Sequence, residues 1–142
     1  ALCFGWIDSK GRRLDERRSM LLMTPRKPGS GWSRPNKERI ARLEAAGLMA
    51  PAGQRVVDAA RADGSWSKLD AVEALEVPDD LAAAFDVHPG SREHWDAFPP
   101  SARKAILGWI VQAKRPDTRT RRVTETAECA ARGERANERP ER

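Results

Sequence analysis

The chain has 142 residues, of which 39% are hydrophobic and 33% charged, with a formal net charge of +5; this length and balance suit one folded domain with a modest core and exclude a wholly disordered chain. Its two cysteines, Cys3 and Cys129, stand at opposite ends, which excludes a disulfide framework or a cysteine zinc site and points to a reducing, cytoplasmic setting. No run approaches the roughly 18 apolar residues of a membrane span, and the N-terminus lacks the charged start and apolar centre of a signal peptide, so no membrane insertion is expected.

Apolar residues dominate positions 1–7 and run into Asp8, Ser9, Lys10 and Gly11, a polar cluster with the glycine that turns require. The pattern predicts a buried strand entering a hairpin, with Met20 to Thr24 returning and Pro25 ending the pair. A two-stranded sheet is marginal alone and must lie on helices or further strands. Residues 25–34, rich in Pro, Gly and Ser, read as a loop.

Ser33 then offers an N-cap ahead of Pro35, and Ile40, Leu43 and Gly47 give a stripe closed by glycine, so a helix is predicted over about 34–46. Pro51 opens a second helix with Val56, Val57 and Ala60 on one face, ending before Gly64; the two form a helical hairpin. No period is visible over 64–76, where Trp66 reads as an anchor packed back on the body. Pro78 starts a short helix with Leu81 and Phe85 four apart, and Asp79 and Asp80 sit at its favourable dipole end. Another short helix begins at Ser91 and presents Trp95 and Phe98.

The cleanest pattern covers 102–114, where Ile106, Trp109, Ile110 and Ala113 recur at helical spacing. Pro116 opens a last helix with Val123, Ala127, Ala130 and Ala131 inward and Gly133 at its end. Residues 134–142 are almost wholly polar and read as a disordered tail. The fold class is therefore α+β and predominantly α-helical: an N-terminal β-hairpin followed by about six helices. The expected organisation is a single domain over 1–133, made of a hairpin and loop (1–33), a helical hairpin (34–64) and a C-terminal helical module (77–133).

Charge is segregated along the chain: 1–34 is basic, 63–98 acidic and 114–122 basic again. The simplest reading pairs the acidic middle with the basic flanks. Lys114, Arg115, Thr118, Arg119 and Arg122 also surround a predicted helix N-terminus, a setting that suits an anion. The competing and favoured reading has Asp117 and Thr118 capping that helix while the arginines pair with acids. Trp32 and Trp6, with Arg12, Arg13, Arg26 and Arg34 nearby in sequence, could form a stacking and charge surface for single-stranded nucleic acid, against a simpler reading in which the tryptophans are core. His88 and His94 lie six apart, not at the spacing of a helical metal pair. Cys3, in an apolar stretch, reads as inert. No phosphate loop, dinucleotide fingerprint or nucleophile elbow is present. No catalytic residue, metal site or cofactor is expected.

The segment Ser101-Ala102-Arg103-Lys104, then Trp109-Ile110, then Ala113-Lys114-Arg115-Pro116-Asp117-Thr118-Arg119-Thr120-Arg121-Arg122 resembles the C-terminal module of the YdeI/OmpD-associated, or bacteriocin-protection, family. Leu2-Cys3-Phe4-Gly5-Trp6-Ile7-Asp8, Thr24-Pro25-Arg26-Lys27-Pro28 with Trp32-Ser33, and Asn36 through Gly47 into Pro51-Ala52-Gly53 resemble it too. The resemblance implies a segment ahead of the Leu2 to Asp8 stretch, which members usually carry and which the residues from Ala1 onward do not include. The final helix departs from the family at Thr124 to Cys129, where members are more basic and more aliphatic. The resemblance implies a bacterial stress or interaction protein and supplies no reaction. The expected function is thus a non-catalytic interaction protein with a protein partner or self-association through an exposed strand edge. The alternatives are nucleic-acid binding through the basic hairpin and 114–122, or a small-ligand or anion-binding module.

Overall fold

The computed structural model describes residues 1–138. Their contacts fall into two compact units, one over Ala1–Asp70 and one from Ala71 onward. The hairpin and helical hairpin expected from sequence lie in the first unit, and the C-terminal helical module lies in the second.

The first unit opens with a 3-10 turn at Leu2–Phe4, followed by the antiparallel strands β1 (Trp6–Arg13) and β2 (Ser19–Pro25). The strand expected over the apolar opening thus begins only at Trp6 and is largely exposed rather than buried, and Leu2–Phe4 ahead of it form a turn. That turn packs against both following helices, α1 (Arg34–Ala45) and α2 (Pro51–Ala62), and the Cys3 carbonyl accepts the Ala50 N–H at 3.0 Å. The reversal predicted at Asp8 to Gly11 lies inside β1 and holds a bulge: Asp8 faces Met23 and Gly11 faces Leu21, so Ser9 and Lys10 share Leu22. The chain reverses instead at 14–18. There Asp15 Oδ1 accepts the N–H groups of Arg17 at 2.9 Å and Arg18 at 2.8 Å, and its other oxygen pairs with Arg18 Nε at 2.7 Å. A carboxylate that satisfies two turn amides fixes this loop without glycine. Those amides, with the Arg18 side chain, hold the Asp15 carboxyl below its ordinary pKa.

Prolines near the starts of α1 and α2 fit the first helical turn, where an N–H is unsatisfied anyway. Ser33 occupies the cap position of α1, but its side chain makes no capping bond. Gly47 stops α1 in the left-handed region at φ 66°, and Leu48 N–H closes back on the Leu43 carbonyl at 2.9 Å. Trp32, Ile40, Val57 and Ala60 form the core, with Leu2, Leu43, Met49, Val56 and Trp66 packed around it. Trp66 is the anchor expected from sequence: its ring centroid lies 5.0 Å from that of Trp32. Glu44 ties α1 to α2, accepting from Arg61 Nη1 and Nη2 at 3.0 Å each and from Gln54 Nε2 at 3.1 Å.

The second unit carries α4 (Asp79–Asp86), α5 (Ser91–Ala97), α6 (Pro100–Val111) and α7 (Pro116–Ala131). A single turn in the aperiodic stretch, α3 (Asp70–Glu73), adds a seventh helix among the described residues to the six read from sequence. Helix α7 packs against α4, α5 and α6 around Leu81, Phe85, Trp95, Ile106, Leu107, Ile110, Val123, Ala127 and Ala130. Trp109 stands at the rim, partly buried against the cluster, while Leu107 points inward. Thr126 is buried on the inner face of α7, its hydroxyl donating to the Arg122 carbonyl at 2.7 Å. Beyond α7 the expected tail folds back as far as described: Ala136 is 5% exposed and belongs to the core cluster. Residues 139–142 of that expected tail lie outside the described residues.

Candidate functional site

The residues singled out from sequence lie in both units, Arg12, Arg13, Arg26 and Trp32 in the first and Lys114, Arg115, Thr118, Arg119 and Arg122 in the second. Arg12 and Arg13 are exposed on β1 near the hairpin tip. Arg26 and Trp32 are not: they are 8% and 1% exposed, and the Arg26 guanidinium carbon lies 3.8 Å from the Trp32 ring centroid. Arg26 N–H donates to the Gly5 carbonyl at 2.9 Å, which fixes the residue just past the hairpin, while its Nη2 donates to the Gly31 carbonyl. Arg61 lies over Trp66 at 4.7 Å and Lys37 at 5.6 Å, so cations flank a tryptophan pair on both sides. Trp32 has no free face on which a base could stack.

In the second unit the cations are largely engaged within the fold. Arg119 holds Asp80 with two bonds, Nε to Oδ2 at 2.7 Å and Nη2 to Oδ1 at 3.0 Å. Arg122 lies over Trp109 at 4.9 Å and donates to its carbonyl. Arg115 occupies the cap position of α7, and no side chain caps that helix; the capping role expected of Asp117 and Thr118 is not the one these residues take. Lys114 and Arg115 are exposed. Pairing of the acidic middle with basic residues is seen in Arg119 with Asp80, in Lys104 with Glu73 at 2.9 Å, and in Lys37 with Asp70.

His94 Nδ1 lies 2.8 Å from the Ala130 carbonyl, so that nitrogen carries the proton and ties α5 to α7. Among the described residues no three His, Cys, Asp or Glu side chains come together as metal ligands. Burial pushes the Cys129 thiol up from its ordinary pKa, partly opposed by Arg132, which favours the protonated, unreactive form.

Two concavities in the first unit were not legible in the sequence. The larger, of about 660 Å³, is an apolar groove bordered by Leu2, Leu21, Met23, Leu43 and Leu48, with Arg39, Arg42 and Asp8 among its polar residues. Leu21 and Met23 point to one face of the hairpin because they alternate along β2, and this face borders α1. Leu21 is 53% exposed and Leu48 63%. The smaller concavity, of about 210 Å³, lies between Arg26, the loop after it, and one side of α2. The exposed leucines carried a faint signal, since four consecutive apolar residues in β2 cannot all face one side of a strand. The second concavity carried none.

Residues 74–133 match the family model described as bacteriocin-protection, YdeI or OmpD-associated, and residues 1–56 match a model described as a domain of unknown function. No curated protein and no solved structure matches the chain. The family likeness drawn from sequence is thus found over 74–133, while the N-terminal motifs lie within the span of the other match.

Proposed function

We propose, from the premise that residues 74–133 are a YdeI/OmpD-associated domain, that the chain is a non-catalytic, cytoplasmic interaction protein whose N-terminal hairpin receives a partner polypeptide. One observation carries the reading: the groove between β2 and α1 exposes Leu21, Met23 and Leu48 beside Arg39 and Arg42. Exposed apolar side chains lining a single groove mark a place where another chain excludes water. Arg42 makes no ion pair among the described residues, so the cationic border favours a partner segment with apolar residues beside Asp or Glu. Two free cysteines and the lack of any described helix long and apolar enough to cross a membrane support the setting.

Selection from a displayed random-peptide library on the immobilised chain tests this. Selected peptides should share an apolar run next to acidic residues and should lose binding to the Leu21→Lys, Leu48→Lys double variant. Both positions are solvent-exposed, so the variant should keep its circular dichroism. Peptides without that pattern, or binding indifferent to the two lysines, would overturn the reading. Burial of Trp32 and Arg26 and engagement of Arg119 and Arg122 make nucleic-acid binding the weaker alternative. A salt-sensitive RNA mobility shift abolished by Arg12→Ala and Arg13→Ala would favour it instead.

A further inference from the structure

The guanidinium of Arg26 is buried, and its surroundings leave its charge unanswered. Nη2 has the Gly31 carbonyl and the guanidinium lies over the Trp32 ring, but Nε and Nη1 have no hydrogen-bond acceptor. Among the described residues no carboxylate pairs with it. Buried polar groups in folded proteins are hydrogen-bonded, and a buried charge is strongly disfavoured without a counter-charge. Burial accordingly draws its pKa below the ordinary arginine value.

Arg26 also forms part of the wall of the 210 Å³ concavity. Lys27 and Arg55, both exposed, line the same space, and Asp63 is its one acid. Asp63 is already occupied, accepting the Ser65 N–H at 2.8 Å. Three cations against one carboxylate leave two positive charges. Val56 and Ala59 give one side of the concavity an apolar lining. The volume is several times the ~30 Å³ share of one water molecule, enough for a phosphoryl group with a short organic tail. The free N–H groups of Arg26 are themselves sealed from solvent, so an anion here answers its charge across the wall, while the exposed Lys27 and Arg55 reach phosphate oxygens directly.

We propose that this concavity is a binding site for a small phosphate monoester, with the buried Arg26 as the unanswered charge in its wall and Lys27 and Arg55 as the cations that touch the phosphate. The site is distinct from the apolar groove and does not depend on the partner reading. Phosphate oxygens accept from Lys27 Nζ and the Arg55 guanidinium, the monoester's dianion matches the two net charges, and its tail lies along Val56 and Ala59.

Proton–nitrogen correlation spectra of the full chain, recorded at constant ionic strength, test it with inorganic phosphate, glycerol phosphate and acetate as probes. The arginine Nε–H resonance of Arg26, assigned by its loss in Arg26→Lys, should shift saturably with both phosphates and at lower concentration with the ester. Arg55→Gln and Lys27→Gln, exposed changes that spare the fold, should each weaken binding by about tenfold, the effect of losing one charge-assisted hydrogen bond. An Arg26 resonance unmoved by either phosphate overturns the site. So does acetate acting as strongly as phosphate, or binding that ignores both glutamine variants.

Discussion

The carbonyl oxygen of Cys3 stands 2.1 Å from where a Cβ on Gly53 would be, and the carbonyl carbon 2.5 Å from it. Glycine at this point of α2 lets the N-terminal turn lie directly on the helix. Both obstructing atoms are backbone, so no side chain can swing aside. Gly53→Ala should therefore destabilise the protein by about 1–3 kcal/mol, the usual cost of overpacking, despite the ~1 kcal/mol that alanine gains over glycine in helix propensity. Urea unfolding checks this; a raised midpoint would show that the turn can lift away at no cost.

His94 and Ala130 join α5 to α7 through one side-chain bond of 2.8 Å. The Ala130 carbonyl also accepts the Gly133 N–H at 2.9 Å, so removing the imidazole does not orphan it. His94→Leu is expected to cost about 0.5–1.5 kcal/mol, the net worth of one hydrogen bond. Thermal and denaturant unfolding would measure it. A loss well beyond that range would mean the ring also carries packing in the core.

The two-bond pair between Arg119 and Asp80 links α7 to α4, with side chains 35% and 42% exposed. Solvent at both partners limits its strength. A double-mutant cycle with Arg119→Ala and Asp80→Ala should give a coupling of about 0.5–1 kcal/mol at low salt, falling as salt rises. Coupling that is unchanged in 1 M salt would contradict an exposed ion pair.

Glu44 supplies a pH dependence with a definite sign. Hydrogen bonds from Arg61 first, then Gln54, hold its folded-state pKa below the ordinary value of 4.5. The carboxylate's stabilisation is therefore fully present above that ordinary value and is lost as pH falls through the lower folded value. The stability difference between the parent chain and Glu44→Gln should be largest at neutral pH and shrink below about pH 4.5. Unfolding curves at pH 7 and pH 3 test it, and a difference that grows on acidification would reverse the assignment.

Much of the helical order was legible because its punctuation is local. Pro51, Pro100 and Pro116 fix first turns, and Gly47 supplies the left-handed stop, so each boundary follows from one residue's backbone preference. The N-terminus lacked such marks. A short apolar run such as Ala1 to Ile7 has no period that separates a strand from a helical turn, and the true reversal depends on one aspartate gathering two amides rather than on glycine. Trp109 illustrates a second limit. It shares a helical stripe with Ile106 and Ile110, yet Arg122 lies over its ring, and the pattern cannot reveal a partner thirteen residues away. The burial of Arg26 was hidden for the same reason, since a sequence shows the cation but not what surrounds it.

The bulge at Ser9 and Lys10 makes one point of the hairpin tolerant of a change in chain length. Deleting a residue elsewhere in β1 would send the remaining side chains to the opposite face of the sheet. Deleting Ser9 or Lys10 would leave a single residue opposite Leu22 and preserve the pairs Gly11 with Leu21, Arg12 with Met20 and Arg13 with Ser19. A chain shortened there straightens its ladder without disturbing which residues meet across it.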